Sequence, residues 1–172
     1  RTVASVLWEG PGQVTMDVAD AADRPQFDRF FGEEVAYLDA GFDFGFQGGT
    51  LAFVQGRGRA VAYDRYLESR HAVRPGYHLA HYLSSHDEPM ALHNLGGDLD
   101  AFRLCVALKM TSLGIPTIYY GEEVARDGSV WPLNRNDMPW GERAVLPGKG
   151  LKRDESLRGY YRNLIATRRT TS

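Results

Sequence analysis

The sequence predicts an α/β fold of parallel βα repeats with the span of half a (β/α)8 barrel, and three observations carry that expectation. Short apolar runs rich in β-branched and aromatic residues recur at 2–8, 42–46, 77–83 and 115–120. Helix-period stripes lie between or after them, which gives the alternation of strand and helix that builds parallel sheets. The last two runs lead into ionisable residues, His86-Asp87 and Glu122-Glu123, and βα folds place their chemistry at strand ends. Four such units in 172 residues fit half of a barrel that takes about 250 residues in full. A four-stranded doubly wound sheet is the alternative. No glycine-rich phosphate loop follows the first strand, which weakens the nucleotide-binding version.

Each element has its own local signal. The first run breaks at Glu9-Gly10-Pro11-Gly12, strong turn chemistry, and residues 13–24 read as a loop or irregular helix. Phe27, Phe30, Phe31, Val35 and Leu38 make a helical stripe that ends by Gly41. Phe42-Asp43-Phe44-Gly45-Phe46 alternates aromatic with small or acidic residues, so it reads as a strand stopped by Gln47-Gly48-Gly49. The Gly- and Arg-rich stretch 55–59 is a loop, residues 61–70 a helix, and Arg74-Pro75-Gly76 a turn into the next strand. A loop is expected over 88–97, and Asp98 or Asp100 can cap the helix after it. Ala101, Leu104, Cys105 and Leu108 repeat at i, i+3, i+4, i+7 and predict its core face. Gly114 suits the position after the helix and Pro116 forbids its continuation. A long polar loop over 122–150 then leads to a helix capped by Asp154, with Leu157, Tyr160, Tyr161, Leu164 and Ile165 on one face.

Composition bounds the function. Hydrophobic residues make up 43% and charged residues 24%, as in ordinary globular chains, and the net charge is −2. That balance argues against nucleic acid or an anionic membrane as the main partner. No run approaches the roughly 20 apolar residues that span a bilayer, no signal peptide is visible, and the compartment stays open. Cys105 is the single cysteine, which excludes an intrachain disulfide and a cysteine-rich metal site; in its apolar helix it reads as buried and inert. His78, His81 and Asp64 lack metal-ligand spacing, and His93 reads as a solvated loop residue. The chain starts at Arg1 and stops after Thr170-Thr171-Ser172, so 1–172 is expected to be one partial barrel domain cut from a longer protein.

Four stretches then add a sharper signal: Ser84-Ser85-His86-Asp87 at a strand end, Gly114-Ile115-Pro116-Thr117-Ile118-Tyr119-Tyr120-Gly121-Glu122-Glu123 about thirty residues on, Asn134-Arg135-Asn136-Asp137-Met138-Pro139-Trp140, and Phe42-Asp43-Phe44. In this order and spacing the chain resembles the α-amylase family, glycoside hydrolase family thirteen. The matches are to the family's seventh-strand Asn/Ser-His-Asp, its eighth-strand Gly-x-Pro-x-Ile-Tyr-Tyr-Gly-x-Glu, the Asn-Arg-x-x-Met-x-Trp of its eighth loop and the aromatic-acid-aromatic start of its sixth strand. The resemblance implies that the chain is the C-terminal half of the catalytic barrel, strands five to eight, of an enzyme that acts on α-glucans or α-glucosides with retention.

It also implies residue roles. Asp87 maps to the aspartate that binds sugar hydroxyls and stabilises the transition state, and His86 to the histidine donor beside it. An oxocarbenium-like transition state gains from hydrogen bonds to ring hydroxyls that strengthen as charge develops. Asn134 and Arg135 map to a loop held over the site, and Trp131, in a polar loop, offers a face for sugar stacking. Phe44 and Phe46 fit core packing better. The strand-five acid is less well matched: Ser5-Val6-Leu7-Trp8-Glu9-Gly10 against Gly-Glu-x-Trp-x-Gly places Val6 at the acid, and valine cannot deliver a proton. Glu9 is the other candidate, if the strand end turns it into the barrel mouth. The strand-four nucleophile lies outside the chain, so the chain alone is expected to be inactive.

Glu122 and Glu123 are adjacent and diverge, so one of them is expected to bond backbone groups as a structural residue. No cofactor is expected within the chain; calcium enters only through the family, whose calcium sites lie in segments missing here. Besides the α-glucan substrate, the expected partner is a second copy of the chain or the missing N-terminal half, because a half barrel leaves unpaired strand edges. A non-catalytic sugar-binding or scaffold relative of the family is the alternative.

Overall fold

A computed structural model describes residues 3–4, 40–71, 78–143 and 146–171. Its elements are β1 (Val3–Ala4), β2 (Ala40–Asp43), α1 (Gly45–Val54), α2 (Ala60–His71), β3 (His78–His81), α3 (Ala91–Asn94), α4 (Leu99–Thr111), β4 (Ile115–Pro116) and α5 (Glu155–Thr171), with 3-10 turns at Glu122–Val124 and Leu133–Arg135. The four strands pair in parallel in the order β1-β2-β3-β4. Sequential neighbours throughout are what a barrel wall requires, whereas a doubly wound sheet reverses its order at a switch point. The expected α/β architecture therefore holds. The helix expected at 27–38 and the loop at 13–24 lie outside the described residues, as do Val6, Glu9 and the turn at 74–76.

Register sets what meets at the strand ends. Asp43 is opposite His81, and His81 is opposite Pro116. The Thr117 N–H still donates to the His81 carbonyl at 2.7 Å, but the pairing stops at Pro116 rather than running to 120. Gly114 allows that close pairing. Its φ is +116°, and a Cβ there would lie 2.5 Å from the Leu79 carbonyl oxygen and 2.7 Å from His81 Nε2, contacts no larger residue could make.

Three expectations are corrected. The 42–46 stretch is not a strand throughout: β2 ends at Asp43 and α1 starts at Gly45. The Asp43 carboxylate accepts the Gly45 N–H at 3.1 Å and turns the chain into the helix, so Phe46, Gln47, Thr50 and Leu51 fall on one buried face in spite of the Gly48-Gly49 pair. The core face of α4 consists of Phe102, Cys105, Val106, Lys109 and Met110, while Leu104 is exposed. Hydropathy alone misplaces that face because it assigns Lys109 to solvent. The 88–97 loop carries the one-turn helix α3. The caps agree with expectation: Asp98 accepts the Asp100 and Ala101 N–H groups at 3.0 Å, and Asp154 accepts that of Leu157 at 2.8 Å.

The core lies between α1, α4 and α5, where Phe46, Leu83, Phe102, Cys105, Val106, Leu157 and Tyr161 form one cluster. Two ionic knots sit inside this otherwise apolar packing. Lys109 donates to Glu122 and, at 2.9 Å, to the Thr117 carbonyl; Glu122 Oε1 also accepts the Tyr161 hydroxyl at 2.5 Å. Glu122 is thus structural, as expected, though through side chains of two helices rather than through backbone groups. At the other knot Asp43 meets Tyr66 Oη at 3.1 Å, His81 Nδ1 at 3.2 Å and Arg70 Nε at 3.5 Å. Cys105 is fully buried, and burial pushes its thiol up to about 12.

Candidate functional site

The segment leaving β3 forms a loop, 83–90, that is tied down along its whole length. Gln47 on α1 donates through Nε2 to the carbonyls of Leu83 at 2.7 Å and Pro89 at 3.3 Å, closing both ends of the loop with one buried amide. Ser84 Oγ accepts the Ala91 N–H at 3.0 Å. Ser85 Oγ accepts the N–H groups of Asp87 and Glu88, each at 3.2 Å. The polar clip Ser84-Ser85 is therefore spent on shaping the turn. That leaves His86 and Asp87 as the outward residues.

His86 Nε2 lies 3.1 Å from Asp87 Oδ2, and both side chains are more than half exposed. Arg135 reaches the same pair from the second loop: its Nε donates to the His86 carbonyl at 3.0 Å and its Nη2 to Asp87 Oδ1 at 3.3 Å. Asn134 is fully buried, and its Nδ2 donates to the carbonyls of His86 at 2.8 Å and Glu88 at 3.2 Å. The structure thus brings together four of the residues singled out in the sequence, His86, Asp87, Asn134 and Arg135, although 48 positions separate Asp87 from Arg135. Trp131 stands in the same loop, 69% exposed, just ahead of the turn that carries Asn134 and Arg135. Phe46 is buried in the core and Phe44 packs edge-on against Tyr82 with centroids 6.1 Å apart, so both serve packing. Glu9 lies outside the described residues.

This arrangement offers a hydrogen-bond acceptor beside donors on one solvent-facing patch. Asp87 presents a half-exposed carboxylate with one oxygen toward Arg135 and the other toward His86, able to accept further hydrogen bonds. The imidazole and guanidinium beside it supply N–H donors within the same patch. Burial first, with Glu88, Asp43 and Asp87 adding, pushes the hydroxyl of buried Tyr82 up to about 12, and its ring packs edge-on against Phe42 and Phe44. Among the described residues no group of three or more His, Cys, Asp or Glu side chains converges as a metal ion requires.

Two contributors escaped sequence reading. Gln47 sits on the buried face of a helix hidden by its glycines. Arg126 is buried beneath the 133–136 turn and holds it from below. Tyr119 and Tyr120 would alternate faces in a strand, but the chain has left the strand by then and both gather on this arginine; the guanidinium carbon lies 5.0 and 3.9 Å from their ring centroids.

Comparison with known proteins places the chain among similar sequences and folds. No protein-family model matches the chain. It is 33% identical over 119 residues to Neopullulanase 2 of Thermoactinomyces vulgaris, covering 67% of the chain and 19% of that protein. It is 36% identical over 86 residues to a cyclomaltodextrinase of a Bacillus species, covering 50% of the chain and 14% of that protein. The cyclic α-maltosyl-(1→6)-maltose hydrolase of Arthrobacter globiformis, solved in its ligand-free form, superposes with a TM-score of 0.70 at 26% identity over 95% of the chain and 32% of that structure. The chain therefore spans under a fifth of the curated relatives and about a third of the solved one. Its relatives are glycoside hydrolases of the α-amylase type, and its α/β fold is shared with barrel enzymes of that type.

Proposed function

We propose that the chain is strands five to eight of an α-amylase-type barrel and supplies the sugar-binding side of a retaining α-glucan hydrolase site. The observation that carries this is the clamp of Asn134 and Arg135 on His86 and Asp87 at the end of the third of four sequentially paired parallel strands. Asp87 accepts two neighbouring hydroxyls of the glucose ring at the cleavage point, and His86 and Arg135 donate to the same ring. These bonds tighten as the ring flattens toward the oxocarbenium-like transition state, which makes Asp87 a transition-state stabiliser. Asn134, buried and bonded to backbone, positions the pair and does not touch sugar. Trp131 offers an aromatic face to a neighbouring glucose unit.

A retaining site needs two further carboxyl groups roughly 5–5.5 Å apart across the bond, a nucleophile and an acid. Asp87 is neither, so the purified chain binds α-glucan without cleaving it. Calorimetric titration with maltotriose tests the reading: the expected result is measurable binding that Asp87→Asn abolishes. Binding untouched by Asp87→Asn, or turnover of a nitrophenyl α-maltoside by the chain itself, would overturn it.

The second reading, a non-catalytic sugar-binding relative, is favoured by one observation, Val6 in the acid register. It parts from the first when the chain is completed with the N-terminal half barrel of a cyclomaltodextrinase. Turnover there, lost on Glu9→Gln, supports the enzyme; sugar binding without turnover supports the relative.

A further inference from the structure

Arg126 is the buried cation whose position is hardest to explain by stability. Only 3% of the residue is exposed, and among the described residues no carboxylate stands in ion-pair range of it. A buried charge without a counter-charge is costly unless carbonyl dipoles and aromatic faces replace its water. Here they do. Nε donates to the Tyr120 carbonyl at 2.8 Å, and Nη1 reaches the carbonyls of Asn134 at 3.2 Å and Asn136 at 3.3 Å and the Asn136 side-chain oxygen at 2.5 Å. Nη2 touches Met90 Sδ at 3.4 Å.

The backbone is bent to put the arginine there. Ala125 has a left-handed φ of 62°, a conformation alanine adopts at a cost. The Arg126 N–H returns to the Gly121 carbonyl at 2.9 Å. A Cβ on Gly121, itself at φ +82°, would fall 2.7–2.8 Å from the Arg126 side chain. Strain and glycine together aim one guanidinium at three segments: the exit of β4, the 133–136 turn, and Met90 at the far end of the loop bearing His86 and Asp87.

We propose that Arg126 is the positioning residue for the sugar-binding pair. It fixes the carbonyls of Asn134 and Asn136, which fixes the turn from which Asn134 Nδ2 and Arg135 reach His86 and Asp87. It also holds the opposite end of the loop through Met90. A neutral residue would fill the space, but only a planar fork with donors on three sides ties these segments in one register. This inference rests on the reading of His86 and Asp87 as sugar-binding.

The test uses the full chain with Arg126→Lys and Arg126→Met, followed by two readouts. The first needs no sugar: the amide cross-peaks of residues 85–88 and the His86 Cε1–H signal in NMR spectra. The second is maltotriose affinity by calorimetry. Arg126→Lys keeps the charge but cannot span Tyr120, Asn134 and Asn136 together, so the 85–88 signals shift and affinity falls about tenfold, as loss of a charge-assisted bond predicts. Unmoved 85–88 signals in a folded Arg126→Lys chain overturn the proposal. If both arginine variants fail to fold by circular dichroism, Asn136→Ala, which removes one side-chain acceptor of the guanidinium, decides on the same signals: a shift supports the proposal and no shift overturns it. A wild-type chain that binds no maltotriose refutes the sugar-binding reading instead, and the ligand-free signals still judge Arg126.

Discussion

Replacing Lys109 by methionine isolates the more deeply buried of the two ionic knots. Lys109 and Glu122 side chains are both fully buried. Glu122 Oε1 accepts from Lys109 and Tyr161, while Oε2 has no partner among the described residues. Methionine fills the lysine's volume yet leaves a core carboxylate with one hydroxyl donor. Tyr161 cannot compensate by ionising differently, since burial first and the Glu122 charge next hold its hydroxyl well above its ordinary range. Breaking a buried pair from one side costs about 3–5 kcal/mol, which at this chain length lowers Tm by about 6–20 °C. Urea unfolding followed by circular dichroism gives the free energy. The double variant Lys109→Met/Glu122→Gln replaces the stranded anion by a neutral amide that still accepts the Tyr161 hydroxyl, and it should recover at least half of the loss. A single-variant loss below about 1 kcal/mol, or a double variant no better than the single, would refute the assignment of this pair as buried and coupled.

Three further outcomes are expected. Asp43→Asn leaves Arg70 and His81 without their shared carboxylate and should lower urea stability by about 3 kcal/mol; a change under about 1 kcal/mol would contradict the knot. Stability should fall as pH rises from 9 toward 12, because the unfolded Cys105 thiol, ordinarily at 9.0, loses its proton before the folded one at about 12. The slope is up to about 1.4 kcal/mol per pH unit for that group. Cys105→Ala should flatten the first part of the decline in pH-dependent urea midpoints, and an unchanged slope would exclude the thiol. Leu113, Ile115 and Ile118 are exposed beside β4, which pairs only with β3 among the described residues; sedimentation should therefore show self-association that rises with concentration, whereas a monomer at every concentration would show the edge to be protected.

Much of the architecture was legible because it follows from local chemistry. Alternation of apolar runs with helical stripes is a short-range pattern, and it predicted four parallel strands while leaving their order open between a half barrel and a doubly wound sheet. The caps at Asp98 and Asp154 are equally local, each an acid within three residues of the amides it satisfies. The α1 helix was not legible. Its signal was masked by Gly48-Gly49, and it forms because Asp43 turns the chain and Phe46 and Leu51 find a core to enter. The inward face of α4 was misread for a related reason: Lys109 can be buried only because Glu122, thirteen residues on, meets it.

The site divides in the same way. His86 and Asp87 were visible as a polar clip at a strand end, and Asn134 and Arg135 as part of a recognisable run. That Asn134 is a buried brace while Arg135 shares the solvent-facing patch depends on how two loops some fifty residues apart close on each other, which no window of sequence contains. Gln47 and Arg126 went unnoticed because a buried glutamine or arginine has no local signature; each is explained only by the carbonyls it gathers from distant segments. The sequence by itself determined the repeat, the strand ends and the residue types available there. Tertiary structure decided which of those residues face solvent and which are spent holding them, because desolvated charges and amides take their meaning from partners that folding alone brings near.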